Sequence, residues 1–323
     1  MQIFENSAHL PEAYQDAVIV IGNFDGLHKG HQELIATARS IAIDQNRPLG
    51  VLSFCPHPRR FFKPDTTPFQ LASWSQKQRL FADQGVDFII KDNFDETYSQ
   101  QSARDFVSEV LVNRCHARHV LVGYNFHFGK NRSGTPGDLK DFGAQFGFNV
   151  TVIDKVEPKT GAGHYSSTGI REMISDGKLP QAAEALGWWW EIDGPVLHGD
   201  QRGRELGYPT ANQALGDYIR PPYGIYAVRA SLENNVLVPD QWLHGVANLG
   251  IRPMFEVKAP LLETFIFDFD QDIYGQSLRV QLIERIRSEE KFDSLDALIT
   301  QMDADKIKAQ EILTSRFGAF TKE

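Results

Sequence analysis

Short apolar segments recur along the first half of the chain at intervals of roughly thirty residues, a spacing typical of strands that alternate with helices. They lie at residues 17–21, 49–54, 86–90, 119–123 and 149–153. The segments between them have helical periodicity, and in the first of these one face carries Leu34, Ile35, Ala38, Ile41 and Ala42. This alternation predicts an α/β domain with a doubly wound parallel sheet and helices on both of its faces.

The second half has a different rhythm, in which one strand-like segment follows another. These segments are WWWEIDGPVL, YGIYAVRASL, WLHGVANLG, LLETFIFDF and SLRVQLIERI. They predict an antiparallel β-barrel or sandwich. We place the domain boundary at Leu186–Gly187, which gives domains of residues 1–186 and 187–323.

A terminal helix is expected after FDSLDAL, where the apolar spacing becomes helical again. Asp293 or Ser294 is its expected N-cap. The predicted apolar stripe of this helix comprises Leu295, Leu298, Ile299, Met302, Ile312 and Leu313. We expect the stripe to pack on the barrel.

Length and composition agree with two domains and reduce the range of expected partners. At 323 residues the chain exceeds the roughly 250 to 300 residues at which a single core stops growing. Its 33 basic and 42 acidic residues give a net charge of -9, which disfavours nucleic acid or an anionic membrane as partner. The 2 cysteines lie far apart and indicate neither a disulfide framework nor a thiolate metal site. Without a basic leader or a long apolar run, we expect a cytoplasmic protein, of oligomeric state still open.

The stretch GNFDGLHKGH, residues 22–31, lies where the first apolar segment gives way to a helix. Glycines allow the backbone to turn tightly and to approach a ligand, and a helix start presents unpaired backbone N–H groups. His28 and His31 lie three residues apart at that start and can face the same ligand. An anion such as a phosphate is therefore expected here. The alternatives are a zinc-binding pair or a simple capped helix start, although no third histidine or cysteine follows nearby.

Four segments of this half resemble known signatures. GNFDGLHKGH is similar to the HxGH signature of the nucleotidyltransferase superfamily, which transfers AMP or CMP to a phosphate-bearing acceptor. YSSTGIR resembles its ISSTxxR signature, with Tyr165 in place of the usual aliphatic residue. SFCPHP and VGYNFHFGKNRSG resemble segments of prokaryotic FAD synthetases, with Asn125 where aspartate is common. The resemblance implies a Rossmann-like nucleotidyltransferase domain.

The second half resembles riboflavin kinases along its whole length. HGDQRGRELGYPTAN is similar to the glycine-rich loop and PTAN turn of these kinases, and GVANLGIRPMF, LLETFIFDF and DIYG follow in the same order. Met254 replaces the threonine that is usual in RPTF. The chain therefore resembles the bifunctional riboflavin kinase/FAD synthetases over nearly all its residues. That implies phosphorylation of riboflavin to FMN by ATP in the C-terminal half, and adenylylation of FMN to FAD with release of pyrophosphate in the N-terminal half.

The resemblance also assigns roles in adenylylation. His28, His31 and Arg171 are the implied catalytic residues, because negative charge develops on phosphate oxygens as pyrophosphate leaves. The implied ATP-binding set of this half is Gly22, Phe24, Gly26, His28, His31, Asn125, Ser166, Thr168 and Arg171. Mg²⁺ is expected to accompany ATP. Whether Asn125 or Asp25 contacts the metal stays open.

In the kinase half, the resemblance implies that Glu263 is the base, which also contacts the flavin and orients or takes the proton of its hydroxyl. Thr210 and Asn212 would hold the Mg²⁺ that bridges the ATP phosphates, since both offer oxygen donors. Gly199 and Gly203 would allow a loop to close over the nucleotide. The alternative for Glu263 is an exposed charge on a barrel strand.

Some assignments and functions stay open at this point. Arg287 resembles a flavin-contacting residue of the family, but an arginine in IRSEEKF is equally expected in a surface ion pair. The tryptophans at 188–190 suit stacking on a flavin ring, yet we expect them to pack the domain junction. One alternative function is a single-activity nucleotidyltransferase with a regulatory flavin-binding barrel. Another is a non-catalytic flavin carrier that has kept both folds.

Overall fold

A computed structural model of the protein describes residues 1–8, 10–157, 165–198, 207–232, 241–254 and 257–318. Two compact units make up the chain. The first comprises Met1–Thr67 and Trp74–Ser166, and the second comprises Pro68–Ser73 and Ser167–Glu323. Gly199 and Gly203, predicted to contact nucleotide, lie outside the described residues.

A parallel sheet, with six strands among the described residues, forms the centre of the first unit. Its strands are β1 (Gln2–Phe4), β2 (Val18–Ile21), β3 (Leu49–Cys55), β4 (Phe88–Asn93), β5 (His119–Gly123) and β6 (Asn149–Ile153). They lie in the order β1-β4-β3-β2-β5-β6, and every neighbouring pair is parallel. The five predicted strands are present. β1 was not predicted, because three residues are too few to show a periodicity.

Helices cover both faces of this sheet, as the alternation of elements predicts. They are α1 (Lys29–Asp44), α2 (Pro58–Phe62), α3 (Trp74–Asp83), α4 (Glu96–Ser99), α5 (Ala103–Asp105), which continues as a π-helix over Phe106–Arg114, and α6 (Pro136–Phe146). On one face Leu34 and Ile35 of α1 pack with Phe81 of α3. On the other face Val110 of the π-helix packs with Leu139 of α6. The α/β prediction is confirmed.

The strand order reverses between β2 and β5, which are neighbours in the sheet. From β2 the chain continues through β3 and β4 on one side, and from β5 it continues to β6 on the other. Open parallel sheets bind ligands at such a reversal, beyond the carboxyl ends of the strands. The loop before α1 follows β2, and Asn125 follows β5. The topology therefore brings two separate predicted segments to one edge of the sheet.

The second unit is built on an antiparallel sheet, with six strands in the part of the chain that the structure describes. They are β7 (Glu191–Pro195), β8 (Ala211–Ala214), β9 (Gly224–Leu232), β10 (Leu243–Met254), β11 (Val257–Ile266) and β12 (Ser277–Arg287). Their order is β7-β12-β9-β10-β11-β8, and a bridge between Leu197 and Asn212 joins the two edges. The sheet is therefore a nearly closed barrel rather than a sandwich. β8 was not predicted as a strand, because its sequence looks like a turn.

Three helices of the described chain belong to this unit, namely α7 (Ser167–Ser175), α8 (Leu179–Leu186) and α9 (Leu295–Phe317). Ser294 caps α9 by accepting a hydrogen bond from the backbone N–H of Ala297 at 3.2 Å, as expected for one of the two predicted caps. Ala309 and Leu313 pack against the barrel. The prediction for Leu295 was wrong, since its side chain is 55% exposed. The first turns of α9 extend beyond the apolar surface that buries its later residues.

The compact units meet in sequence between Ser166 and Ser167, so α7 and α8 belong to the second unit. The functional boundary expected at Leu186–Gly187 stays a prediction. In the described chain, no helix combines the length and apolar character needed to cross a bilayer. The expected cytoplasmic location also stays a prediction.

Candidate active sites

The loop between β2 and α1 is a tight turn of unusual backbone geometry. Gly26 has a φ of 83°, in the left-handed region that favours glycine. Phe24 and Leu27 also have positive φ angles, of 48° and 36°. The ring of Phe24 packs closely against Gly22. A side chain at Gly22 would place its Cβ only 3.0 Å from that ring, so the position suits glycine. The loop thus delivers His28 to the N-cap position of α1.

The two histidines of this loop are stacked on each other, as their predicted common role requires. Their ring centroids lie 3.7 Å apart, with 19° between the planes. The ring of Phe24 packs edge-on against His31 at 5.2 Å. Although His31 is only partly buried as a residue, its Nδ1 is buried and has no hydrogen-bond partner among the described residues. Both imidazoles therefore lie together at the start of α1.

The electrostatic environment keeps His31 neutral. Burial lowers the pKa of His31 well below its ordinary value, and the positive charges of His28 and Lys77 lower it further. Lys77 lies on α3, is only 6% exposed, and donates a hydrogen bond from Nζ to the carbonyl oxygen of Asn23 at 2.8 Å. Sequence reasoning missed Lys77, because its neighbours in WSQKQR are typical of an exposed helix face. It ties the loop to a second helix.

One further predicted segment of the first unit lies beside this loop, and a second follows the neighbouring strand β5. A Cβ at Gly30 would lie 3.7 Å from Cβ of Tyr165, the first residue of YSSTGIR. The ammonium group of Lys29 also lies 5.7 Å from the Tyr165 ring centroid. Asn125 follows β5, and its side chain lies close to Gly123. A Cβ added to Gly123 would be 3.4 Å from Oδ1 of Asn125. The start of the second signature thus contacts the helix start of the first.

From Ser167 onward, that signature lies on α7 in the second unit, whereas Ser166 is the last residue of the first unit. Thr168 is exposed in the first turn, and Arg171 is partly buried. The Nε of Arg171 donates a hydrogen bond to the carbonyl oxygen of Phe69 at 2.8 Å, and its guanidinium lies 5.4 Å from the Phe69 ring centroid. These contacts orient Arg171. The predicted contacts of Ser166, Thr168 and Arg171 with ATP phosphates stay predictions.

A row of three polar residues crosses adjacent strands of the barrel. Asn212 of β8 lies opposite Glu263 of β11, and Glu263 lies opposite Asn248 of β10. The Nδ2 of Asn248 donates a hydrogen bond to Oε2 of Glu263 at 3.2 Å. Thr210 is partly buried just before β8, and Asn212 is 8% exposed. The barrel therefore brings the predicted metal ligand Asn212 to the predicted base, together with an amide that sequence reasoning missed.

Tyr208 ties the start of the PTAN turn to the terminal helix. Its hydroxyl donates a hydrogen bond to the carboxylate of Asp303 on α9. Its ring packs against Phe265 with centroids 5.0 Å apart. Burial, together with the hydrogen bond to Asp303, raises the pKa of Tyr208 to about 12. The hydroxyl therefore stays protonated and holds the turn two residues before Thr210.

Arg287 and the tryptophans have structural contacts in the second unit. Arg287 donates from Nε to Oδ1 of Asp305 at 2.8 Å and from Nη2 to Oδ2 at 2.7 Å, an ion pair that raises the pKa of Arg287. Asp305 is buried on α9, so this pair is not a surface one. Trp190 is fully buried and donates from Nε1 to the carbonyl oxygen of Leu71 at 2.9 Å. Arg287 thus forms an ion pair that is partly buried rather than the expected surface pair, and its flavin contact stays a prediction.

These two sites and folds define a class of protein, a nucleotide-transferring α/β domain followed by a flavokinase-type barrel. Family models match both parts, with FAD synthetase over residues 10–168 and riboflavin kinase over residues 186–313. The bifunctional riboflavin kinase/FMN adenylyltransferase of Haemophilus influenzae is 36% identical over 315 residues, covering 98% of this chain and 100% of that protein. Its counterpart in Escherichia coli is 34% identical over 312 residues, covering 96% and 97%. The chain belongs to the family of bifunctional riboflavin kinase/FMN adenylyltransferases.

A solved structure supports the fold over the same length. A protein from Streptococcus pneumoniae, described as a macrolide-efflux protein, is 31% identical and has a TM-score of 0.80. The similarity covers 98% of both chains. The arrangement of an α/β unit followed by a barrel is therefore shared along the whole chain.

Proposed function

We propose that the chain phosphorylates riboflavin to FMN and adenylylates FMN to FAD, using ATP in both steps. Residues 187–323 would carry the first reaction and residues 1–186 the second. The observation that carries the proposal is that both family models match consecutive parts of one chain. Each part also contains side chains that we expect its reaction to use, including Glu263 in the barrel and the stacked His28 and His31 in the α/β unit.

In the kinase reaction, the 5′-hydroxyl oxygen of riboflavin bonds to the γ-phosphorus of ATP while the bond to the ADP oxygen breaks. The carboxylate of Glu263 accepts the hydroxyl proton, which then passes to solvent. Because this transfer has a loose transition state, orientation of the hydroxyl is the main task of the protein. Glu263 is suited to it, since its carboxylate is held by Asn248 on the neighbouring strand.

The residues beside Glu263 fit a magnesium ion. The hydroxyl of Thr210 and the amide oxygen of Asn212 are hard oxygen donors, and Mg²⁺ in such enzymes relies on few protein ligands plus phosphates and water. When bound with ATP, the ion would offset negative charge on the phosphates. Thr210 and Asn212 would hold it there.

In adenylylation, a phosphate oxygen of FMN bonds to the α-phosphorus of ATP while the bond to pyrophosphate breaks. No residue of the protein needs to become covalently attached. The N–H groups at the start of α1 and the imidazoles of His28 and His31 would bind the phosphate oxygens. Because burial keeps His31 neutral, an arriving phosphate would favour protonation of its ring and so strengthen the contact.

The test is to incubate the purified protein with riboflavin, ATP and Mg²⁺ and to separate the flavins by chromatography over time. We expect FMN to appear first and FAD to follow, and we expect supplied FMN to become FAD. The alternative, a single-activity nucleotidyltransferase with a regulatory barrel, predicts FAD from FMN but no FMN from riboflavin. Absence of both products contradicts the proposal.

A further inference from the structure

Asn248 lies beside the predicted base of the kinase reaction, although it was not among the site residues predicted from the sequence. It occupies β10, directly opposite Glu263 of β11. Side chains at directly opposing positions of antiparallel strands share a face and have Cβ atoms about 4.5–5.5 Å apart. The Nδ2 to Oε2 distance of 3.2 Å is a hydrogen bond. Because an ionised carboxylate only accepts, the donor is the amide NH₂ of Asn248.

Among the described residues, the side-chain amide of Asn248 has its hydrogen bond to Glu263 and no other. On its other side, the opposing residue of β9 is Ile225, which has no polar side chain. Ala247 and Leu249, the neighbours along β10, are buried hydrophobic residues. The Oδ1 of Asn248 is buried and has no hydrogen-bond partner among the described residues. Buried acceptors in folded proteins nearly always have a donor, so a buried acceptor without one suggests that a bound ligand supplies it.

We propose that Asn248 is a positioning residue for the kinase reaction, which holds one oxygen of the Glu263 carboxylate so that the other faces the hydroxyl of the phosphate acceptor. This inference rests on the proposed function of Glu263 as the base. The amide oxygen of Asn248 then accepts a hydrogen bond from a hydroxyl of the same acceptor, a polyol. A rigid carboxylate loses less freedom when the acceptor binds. The residues opposite Glu263 on the two neighbouring strands, Asn212 and Asn248, are both uncharged amides, and the hydrogen bond from Asn248 fixes one carboxylate oxygen.

The experiment compares the full chain with Asn248→Ala and Asn248→Asp in riboflavin phosphorylation. Both variants remove the amide donor, so kcat should fall by about ten- to a hundredfold, the range for losing a hydrogen bond to a charged group. The KM for ATP should change little, because nucleotide binding does not depend on the orientation of the Glu263 carboxylate. Asn248→Asp also places a like charge beside Glu263, so its kcat should be the lower of the two.

Thr264→Val is the matched control. Thr264 follows Glu263 on β11, points to the opposite face, and has a buried hydroxyl without a hydrogen-bond partner among the described residues. Its replacement should leave kcat and the KM for ATP at the values of the parent chain. Conversion of FMN to FAD in the same samples reports the state of the other half. If Asn248→Ala does not fold, Asn248→Asp has nearly the same shape and carries the test.

An equal fall of kcat in Thr264→Val, a change confined to KM, or parental kinetics in both Asn248 variants would overturn the positioning role while leaving the kinase activity standing. Failure of the parent chain to make FMN from riboflavin would instead overturn the proposed function itself.

Discussion

Asn212 and Glu263 lie directly opposite each other on the antiparallel strands β8 and β11. They belong to different motifs, PTAN and LLETF, which are well separated along the chain. Opposing side chains on one face are close enough to serve a single ligand. The barrel therefore joins an oxygen donor suited to a cation with a carboxylate suited to a hydroxyl proton.

Replacement of Glu263 by Gln tests the base. Gln keeps the size of the side chain and removes its negative charge, so riboflavin phosphorylation should fall by roughly 10²-fold or more, the scale of general base catalysis. Riboflavin binding, measured by flavin fluorescence, should change far less. Conversion of supplied FMN to FAD is the internal control. Near-normal turnover would show that Glu263 is not the base and is only a charge on a barrel strand.

Reciprocal variants test whether the two reactions have separate sites. His31→Ala removes an imidazole beside developing phosphate charge and should slow conversion of FMN to FAD by about 10² to 10³-fold, while FMN still forms from riboflavin. Asn212→Ala removes a proposed metal ligand and should stop riboflavin phosphorylation, while supplied FMN still becomes FAD. Both variants should keep the circular dichroism spectrum of the parent chain. Loss of both activities in either one would indicate a shared nucleotide site.

Acid should destabilise the folded protein partly through His31. Its pKa is lowered in the folded state, so below the ordinary value of 6.5 the unfolded chain binds a proton there that the folded chain does not. The free energy of unfolding is therefore higher at neutral pH, and it decreases as the pH falls and the unfolded chain takes up this proton. His31→Gln does not titrate, so its melting temperature should drop less than that of the parent chain between pH 7.5 and pH 5.5. His119, whose pKa is also lowered by burial, is present in both proteins. Equal drops would contradict the environment described for His31.

Lys77→Met should impair adenylylation by loosening the loop before α1. Met fills the space of the lysine stem but removes the donor to the carbonyl oxygen of Asn23, which should cost about 1 kcal/mol of stability and lower the rate of FAD formation. Lys91→Met is a matched control, because Lys91 also lies over the Trp74 ring but pairs with the exposed Glu5. Such exposed pairs contribute little. Similar losses of FAD synthesis in both variants would show that the Lys77 contact is not specific.

The local sequence pattern was sufficient to predict much of the secondary structure of this protein. Five of the six described strands of the first unit, and α1, follow from the apolar pattern, because a helix with one buried face or a strand with two buried faces shows this in the order of its neighbouring residues. The cap at Ser294 and the paired histidines of HxGH are equally local. β1 is too short to show a period, and the sequence of β8 looks like a turn. Leu295 has the spacing of a buried residue, yet the barrel does not reach it.

Sequence by itself determined the elements, the family resemblance and the chemical types of the candidate residues, because these depend on side chains close together in the chain. Only the tertiary structure decided the strand order that brings β2 beside β5, and the register that sets Asn212, Glu263 and Asn248 in one row. It also decided that Lys77 is buried beside the loop before α1. Strand pairing and helix packing depend on contacts between residues distant in sequence, and a one-residue change of register would turn every side chain of a strand to the opposite face.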